Sequence, residues 1–244
     1  MDSNNSSLGD RNKNIVITGA SKGIGKAIAK IFAAGGHNLF LCSRGEADLY
    51  KTTEELMTKF PGTTIKAKPF DLSKKDEATA FGNWCLSFAI PDILVNNAGL
   101  FEPGSVYNEP DGLLESQMAT NVYSAYHVSR SVLPKMMERM SGHIFNMCSI
   151  ASLHAYENGG AYSISKFAMY GFSKNLREEM KPHGIKVTSI HPGAVMTDSW
   201  GNYDNSSKRI MEAEDIAKLV YAASQLSPQA CVEKIVIRPQ LGDL

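Results

Sequence analysis

The sequence has no surplus of either charge: 25 Lys and Arg stand against 25 Asp and Glu in 244 residues. A chain that neutralises a phosphate backbone needs a basic excess, so nucleic acid is not an expected partner, and no acidic excess is present to gather cations. Apolar runs long enough to cross a bilayer are missing, as is the apolar stretch of a secretory signal, so the expectation is a cytoplasmic protein with no membrane partner. Cysteine is scarce: Cys42, Cys85, Cys148 and Cys231 are scattered, with no Cys-x-x-Cys pair, and four buried, reduced thiols are expected in place of a disulfide frame. The six histidines show neither His-x-x-x-His nor His-Glu-x-x-His spacing. No zinc frame, and so no metal, is expected.

No Pro/Gly/Ser-rich linker divides the chain, and 43% hydrophobic content is enough for a substantial core. The reading is one domain over residues 13–244 behind a loose polar tail over 1–12. Short β-branched runs alternate with stretches of helical apolar period, the pattern of an α/β fold: one doubly wound sheet of about seven parallel strands with helices on both faces. Candidate strands are Ile15 to Thr18, Asn38 to Cys42, Thr64 to Lys68, Ile93 to Val95, His143 to Met147, Lys186 to Ile190 and Lys234 to Ile237. Ile24, Ala27, Ile28, Ile31 and Phe32 recur at helical spacing, as do Leu219, Val220 and Ala223 after Glu214 and Asp215. In such a fold ligands sit beyond the carboxyl ends of the strands, where strand order reverses.

Directly after the first strand comes Thr18-Gly19-Ala20-Ser21-Lys22-Gly23-Ile24-Gly25, running into the first helix. Glycines let the backbone turn sharply and approach a pyrophosphate, whose charge suits the N–H groups and dipole of a helix N-terminus. The strand-loop-helix context therefore points to a Rossmann-type dinucleotide site. NAD sites of this kind carry an acid after the second strand, whereas a 2′-phosphate calls for a cation. Here that strand ends in Ser43-Arg44, and Lys22 lies in the glycine loop, which favours NADP(H). The bland alternative is that Arg44 and Lys22 are solvated surface charges.

Tyr162 and Lys166 lie four apart at the start of a helical segment and so share one face. A phenol exchanges protons poorly near neutrality, and a cation held close would stabilise its phenolate and fit Tyr162 for general acid-base work. Ser149 follows the fifth strand, where its hydroxyl could reach a substrate carbonyl. A Tyr-x-x-x-Lys pair alone is ordinary helix-surface chemistry; the glycine loop and Ser149 give it meaning.

Together these motifs resemble the compact, single-domain branch of the short-chain dehydrogenase/reductase family, from about Lys13 onward. Asn121, Ser149, Tyr162 and Lys166 match the family's catalytic tetrad. Thr18, Gly19, Ser21, Lys22, Gly23, Ile24 and Gly25 match its cofactor loop. Asn97, Ala98 and Gly99 match the Asn-Asn-Ala-Gly segment, and Asp71 with Leu72 falls where the family holds adenine. Pro192, Gly193, Val195 and Thr197 resemble the segment that holds the nicotinamide carboxamide. The resemblance implies hydride transfer between a nicotinamide and a carbonyl carbon. Tyr162 would protonate the oxygen, Ser149 would polarise it, Lys166 would hold the ribose, and Asn121 would order a water leading to Lys166.

Ser141 to Phe145, Pro192 to Val195 with Trp200-Gly201, and Ile237 to Asp243 further resemble bacterial sepiapterin reductases, which implies a ketone or a vicinal diketone on a compact ring such as a pterin. The segment from Gly193 through Trp200, Tyr203 and Asp204 to Ser207 resembles the family's substrate-covering loop. Trp200 would stack on a flat substrate, or simply fasten that loop to the core. Leu100, Leu153, His154 and Tyr156 are further pocket candidates, chosen because they follow cofactor or catalytic motifs. The helices holding Asn121 to Met137 and Tyr162 to Met180 resemble those that pair in the family's dimers, so a homodimer or homotetramer is expected. Two other functions stay open: an NADP-binding sensor or scaffold without turnover, against which the complete tetrad argues, and an isomerase or dehydratase, against which the short chain argues.

Overall fold

The computed structural model describes residues 12–197, 200–201 and 203–242. The expected N-terminal tail, apart from Asn12, and Asp243 lie outside the described residues.

Seven strands form one parallel sheet in the order β3-β2-β1-β4-β5-β6-β7. They are β1 (Asn14–Thr18), β2 (Asn38–Cys42), β3 (Ile65–Ala67), β4 (Ile93–Asn96), β5 (Gly142–Met147), β6 (Ile185–Pro192) and β7 (Lys234–Ile237). All seven expected strands are present. The main difference is at β6, which runs on to Pro192 because its last residues still pair with β7, Pro192 opposite Ile237. The order reverses between β1 and β4, so the crevice of the sheet opens there.

Both faces of the sheet are covered, and side-chain alternation divides the core in two. Ile15 and Ile17 of β1 point into a cluster with Ile28 and Phe32 of α1 (Gly23–Ala34), Leu49 of α2 (Glu46–Lys59) and Val220 of α7 (Ala213–Ser224). Val16 between them points the other way, into a cluster with Phe81 of α3 (Lys75–Leu86), Val132 and Met136 of α5 (Ser124–Glu138) and Leu176 of α6 (Gly160–Met180). The apolar stripe of α1 is the one expected from periodicity. Ahead of α5, α4 (Leu113–Met118) leads through a π turn at Ala119–Tyr123 that the sequence did not announce.

The thiols need one correction. Cys42, Cys85 and Cys148 are buried and free, but Cys231 is exposed, because it precedes β7, an edge strand with one side open to solvent. Among the described residues no group of His, Cys, Asp or Glu could hold a metal ion, and no helix is long and apolar enough to cross a membrane.

Candidate active site

The glycine loop is tied to the end of β4. Thr18, the last residue of β1, accepts the Asn97 and Ala98 N–H groups on its hydroxyl, both at 2.9 Å. The Asn97 amide donates in return to the Thr18 and Gly19 carbonyls at 3.0 and 3.1 Å. Two positions demand glycine. Gly19 has φ +64, and a Cβ there would lie 2.9 Å from Ala98 Cα; a Cβ on Gly25 would lie 2.1 Å from the Gly19 carbonyl oxygen. Lys22, at the N-cap of α1, supplies no side-chain acceptor, so the first N–H groups of that helix suit an anion.

Arg44 is exposed on the loop after β2, near enough for its charge to act on Asp71. The Asp71 carboxyl is held below its ordinary value, mainly by the Ser73 hydroxyl donating at 2.6 Å, with Lys74 and Arg44 adding to it. Ser43 is buried and donates its hydroxyl to the Gly45 carbonyl at 3.1 Å, so it would have to change partner to donate to a phosphate. Lys22 Nζ lies 3.8 Å from an Asp48 carboxylate oxygen. Leu72 is buried beside Asp71. On the far side, Thr197 stands over Gly23, whose Cβ would meet it at 3.2 Å. Gly193 and Val195 hold that segment down, through the Ile237 carbonyl at 2.8 Å and a parallel bridge to Met211.

Ser149 follows β5 and caps a 3₁₀ turn, Ile150–Ser152: its hydroxyl accepts from the Ala151 N–H at 3.1 Å, and the Ser152 hydroxyl accepts from the Ser149 N–H at 3.0 Å. The Tyr162 hydroxyl stands near Ser149, close enough for the serine hydroxyl to act on its pKa. Burial holds the Tyr162 phenol above its ordinary value, against a lowering by Ser149, so it stays protonated near neutrality. Lys166 is buried, donates to the Met147 carbonyl at 3.0 Å, and sits 5.7 Å from the centre of the Tyr162 ring. Desolvation pulls its pKa down to about 8.

Two neighbours of Tyr162 have defined partners. The Lys166 ammonium lies over the ring face and gives one of its three N–H groups to the Met147 carbonyl. Asn121, buried in the π turn, uses both amide hydrogens on the Leu100 carbonyl (2.9 Å) and Ser165 hydroxyl (2.8 Å), and its oxygen accepts from the Leu100 N–H at 2.6 Å. Its side chain is thus a tie between the Leu100 loop and α6.

The pocket candidates divide. Tyr156 lies beside Tyr162 and Ser163, and burial, with Tyr162 contributing, pushes its phenol up to about 12. Leu153 is half-buried, and His154 is exposed on the same turn. Leu100 is joined to Asn121 by its backbone. The Trp200 ring lies 5.2 Å from Tyr203 of its own loop. Sequence reasoning missed two residues. Phe101 meets Tyr162 edge to face, with ring centroids 4.7 Å apart and planes at 83°; its only signal is its place just after Leu100. His191, immediately before Pro192-Gly193, is buried and donates from Nδ1 to the Ser149 carbonyl at 3.1 Å, with Nε2 3.0 Å from the Ser189 hydroxyl.

Known proteins resemble this chain in sequence and fold. The family model described as short chain dehydrogenase matches residues 13–208. A sepiapterin reductase of Chlorobaculum tepidum is 33% identical over 239 residues, covering 94% of this chain and 97% of that protein. An alcohol dehydrogenase from Thermococcus sibiricus, solved with 5-hydroxy-NADP, superposes with TM-score 0.88 at 26% identity, covering 94% of this chain and 97% of that one. The L-sorbose reductase of Gluconobacter frateurii, solved with NADPH and L-sorbose, gives TM-score 0.85 at 27% identity, covering 95% and 97%. With a match over most of its length and the motifs in one crevice, this chain belongs to the short-chain dehydrogenase family.

Proposed function

We propose that this protein is an NADPH-dependent carbonyl reductase, with Tyr162 as its proton donor. The observation that carries the reading is the grouping of the Tyr162 phenol, Ser149 and a buried Lys166, with Nζ 5.7 Å from the Tyr162 ring centre, at the carboxyl edge of the sheet. The residues present fit NADP(H): Gly19, Gly23 and Gly25 form an open anion cradle at the start of α1, and the two positions directly after β2 are Ser43 and Arg44, with no acid there to repel a 2′-phosphate. When bound, the nicotinamide supplies the hydride.

The chain does the rest. Ser21 and the α1 N-terminus hold the pyrophosphate side, and Arg44, with Lys22 as a second cation, the 2′-phosphate. Asp71 and Leu72 receive adenine; Asn97, Ala98, Gly99, Pro192, Gly193, Val195 and Thr197 border the nicotinamide end. Ser149 donates to the substrate oxygen, and Tyr162 passes its proton there as negative charge develops. Lys166 is placed to hold a ribose hydroxyl, since its buried ammonium already seeks oxygen acceptors.

The substrate proposed is a ketone on a compact ring of the pterin kind. The Chlorobaculum tepidum protein supports it, as do the aromatic groups Phe101 and Tyr156 about Tyr162. A homodimer is proposed through α5 and α6, and a cytoplasmic location fits a reductase that draws on NADPH. The test is NADPH oxidation followed with a panel of carbonyl compounds that includes sepiapterin and simple aliphatic ketones. Turnover of sepiapterin supports the full reading; turnover of aliphatic ketones alone removes the pterin part. NADPH binding with no oxidation across the panel would favour a sensor.

A further inference from the structure

We propose that Glu109 is a positioning residue for proton transfer: from the loop between β4 and α4 it caps the helix that carries Tyr162 and sets where that helix begins. This rests on the reading of Tyr162 as proton donor. Helix α6 has no cap of its own, because Gly159 stands at the N-cap without a side chain and the first turn contains no acid. The Glu109 carboxylate, 52 residues away in sequence, fills that place by accepting the Ala161 N–H at 3.1 Å. A side-chain acceptor on the second N–H of a helix is what a local Ser or Asp cap ordinarily provides, and negative charge there also opposes the helix dipole. Tyr162 is the next residue.

The junction is built to a close fit. Gly160 has φ +32, and a Cβ on it would fall 2.4 Å from Glu109 Oε2 and 2.4 Å from the Gly104 carbonyl oxygen, so only glycine admits the approach. Gly104 donates its N–H to the Asn158 carbonyl at 3.1 Å, and the Ser105 hydroxyl meets the Asn158 amide oxygen at 2.6 Å. Asn158 itself holds φ +59. The same loop carries Phe101 against the Tyr162 ring, and Gln117 anchors it by donating to the Glu102 carbonyl at 2.9 Å. The loop therefore grips Tyr162 twice, by its ring and by the first turn beneath it. Neither contact touches the glycine cradle.

The experiment compares Glu109→Ala, Glu109→Asp and Glu109→Gln with the parent. Geometry that shifts by an ångström or so costs up to ~100-fold in rate, so Glu109→Ala should lower kcat by ~10- to 100-fold with NADPH affinity nearly unchanged. Glu109→Asp keeps the charge but shortens the reach and should resemble the alanine variant. Glu109→Gln keeps an oxygen acceptor at the right length and should recover most of kcat. Parental kcat in Glu109→Ala would overturn the proposal, as would Glu109→Gln falling as far as alanine, or kcat loss matched by loss of NADPH binding. Amide exchange read by mass spectrometry tests the capping separately from activity: peptides covering 159–163 should exchange at least ~5-fold faster in Glu109→Ala, and unchanged exchange would refute it. If the parent turns over no carbonyl compound, the functional reading fails while this exchange result still decides whether Glu109 sets the first turn.

Discussion

A phenol that burial keeps protonated is a poor base but an effective donor to an alkoxide, which is far more basic than a phenolate. Reduction therefore asks little acidification of Tyr162, and the position of Lys166 over its ring, with Nζ on the Met147 carbonyl, does not conflict with the chemistry. Tyr162→Phe keeps the ring packed against Phe101 while removing the proton, so kcat should fall ~10²- to 10⁴-fold, with NADPH fluorescence titration nearly unchanged. A variant with near-parental turnover would move proton donation to another group. Lys166 should show itself in pH dependence. It is charged below a pKa of about 8 and neutral above it, so NADPH affinity and kcat/KM should decline as pH rises past about 8. A flat profile from neutral pH to well above that value would mean its charge does not serve binding. For Arg44, removal of the guanidinium should weaken NADPH by ~1–3 kcal/mol while leaving NADH little affected, measured as kcat/KM for each cofactor. Equal efficiency of the two cofactors in the parent would refute phosphate selection.

At the scale of elements, the central strands were legible because each is a short apolar run bounded by turn residues, buried on both faces: Ile15 to Ile17 and Leu39 to Cys42 read this way at once. The glycine cradle was legible for a similar reason, since its spacing, strand before and helix after are all local. What stayed hidden depends on contacts between distant segments. Phe101 reaches Tyr162 and Glu109 reaches Ala161 across more than fifty residues, and no periodicity marks either. The π turn holding Asn121 was equally invisible, because a single turn of five residues is too short to show a period of its own. Buried histidines on β5 and β6 lead to a prediction about stability. Burial pushes His143 down to about 3 and His191 to about 4. Above pH ~6.5 both are neutral, folded or unfolded; below it the unfolded chain takes up protons the folded one refuses, so stability falls with falling pH. Each contributes a slope near 1.4 kcal/mol per pH unit, or about 2.7 together at pH ~5. Urea unfolding at several pH values between 6.5 and 5 measures it, and His143→Asn should remove about half. An unchanged slope in that variant would show that His143 is not the group responsible.

For the whole molecule, the crevice where strand order reverses gathers β1, β4, β5 and β6 so that Gly19, Asn97, Ser149 and Pro192 all emerge at one edge. The same arrangement leaves α5 and α6 side by side on one face, and that face is not finished as an ordinary surface. Tyr123 and Tyr126 on the π turn and α5, and Ile164 and Phe167 on α6, are each 39–50% exposed. Between the helices runs a groove of about 400 Å³, bordered by Tyr126, Leu133, Phe172 and Leu176 together with the polar Ser129, Arg130, Asn175 and Glu179. Large apolar side chains clustered at this density cost solubility unless something covers them, and a two-fold axis lets one patch cover its own copy. A stable interface of that kind buries roughly 800 Å² per partner, within the reach of two helices of 15 and 21 residues. Light scattering at micromolar concentration should give twice the mass of one chain or a multiple of that. Phe167→Glu places a charge in the middle of the patch without touching the glycine cradle, and it should shift the protein toward the monomer. Because α6 carries both Ile164 and Phe167 outward and Tyr162 and Lys166 inward, loss of the partner should also loosen the first turn of that helix and lower kcat. A parent that scatters as a monomer would refute the interface, and a monomeric Phe167→Glu protein with full activity would separate assembly from catalysis.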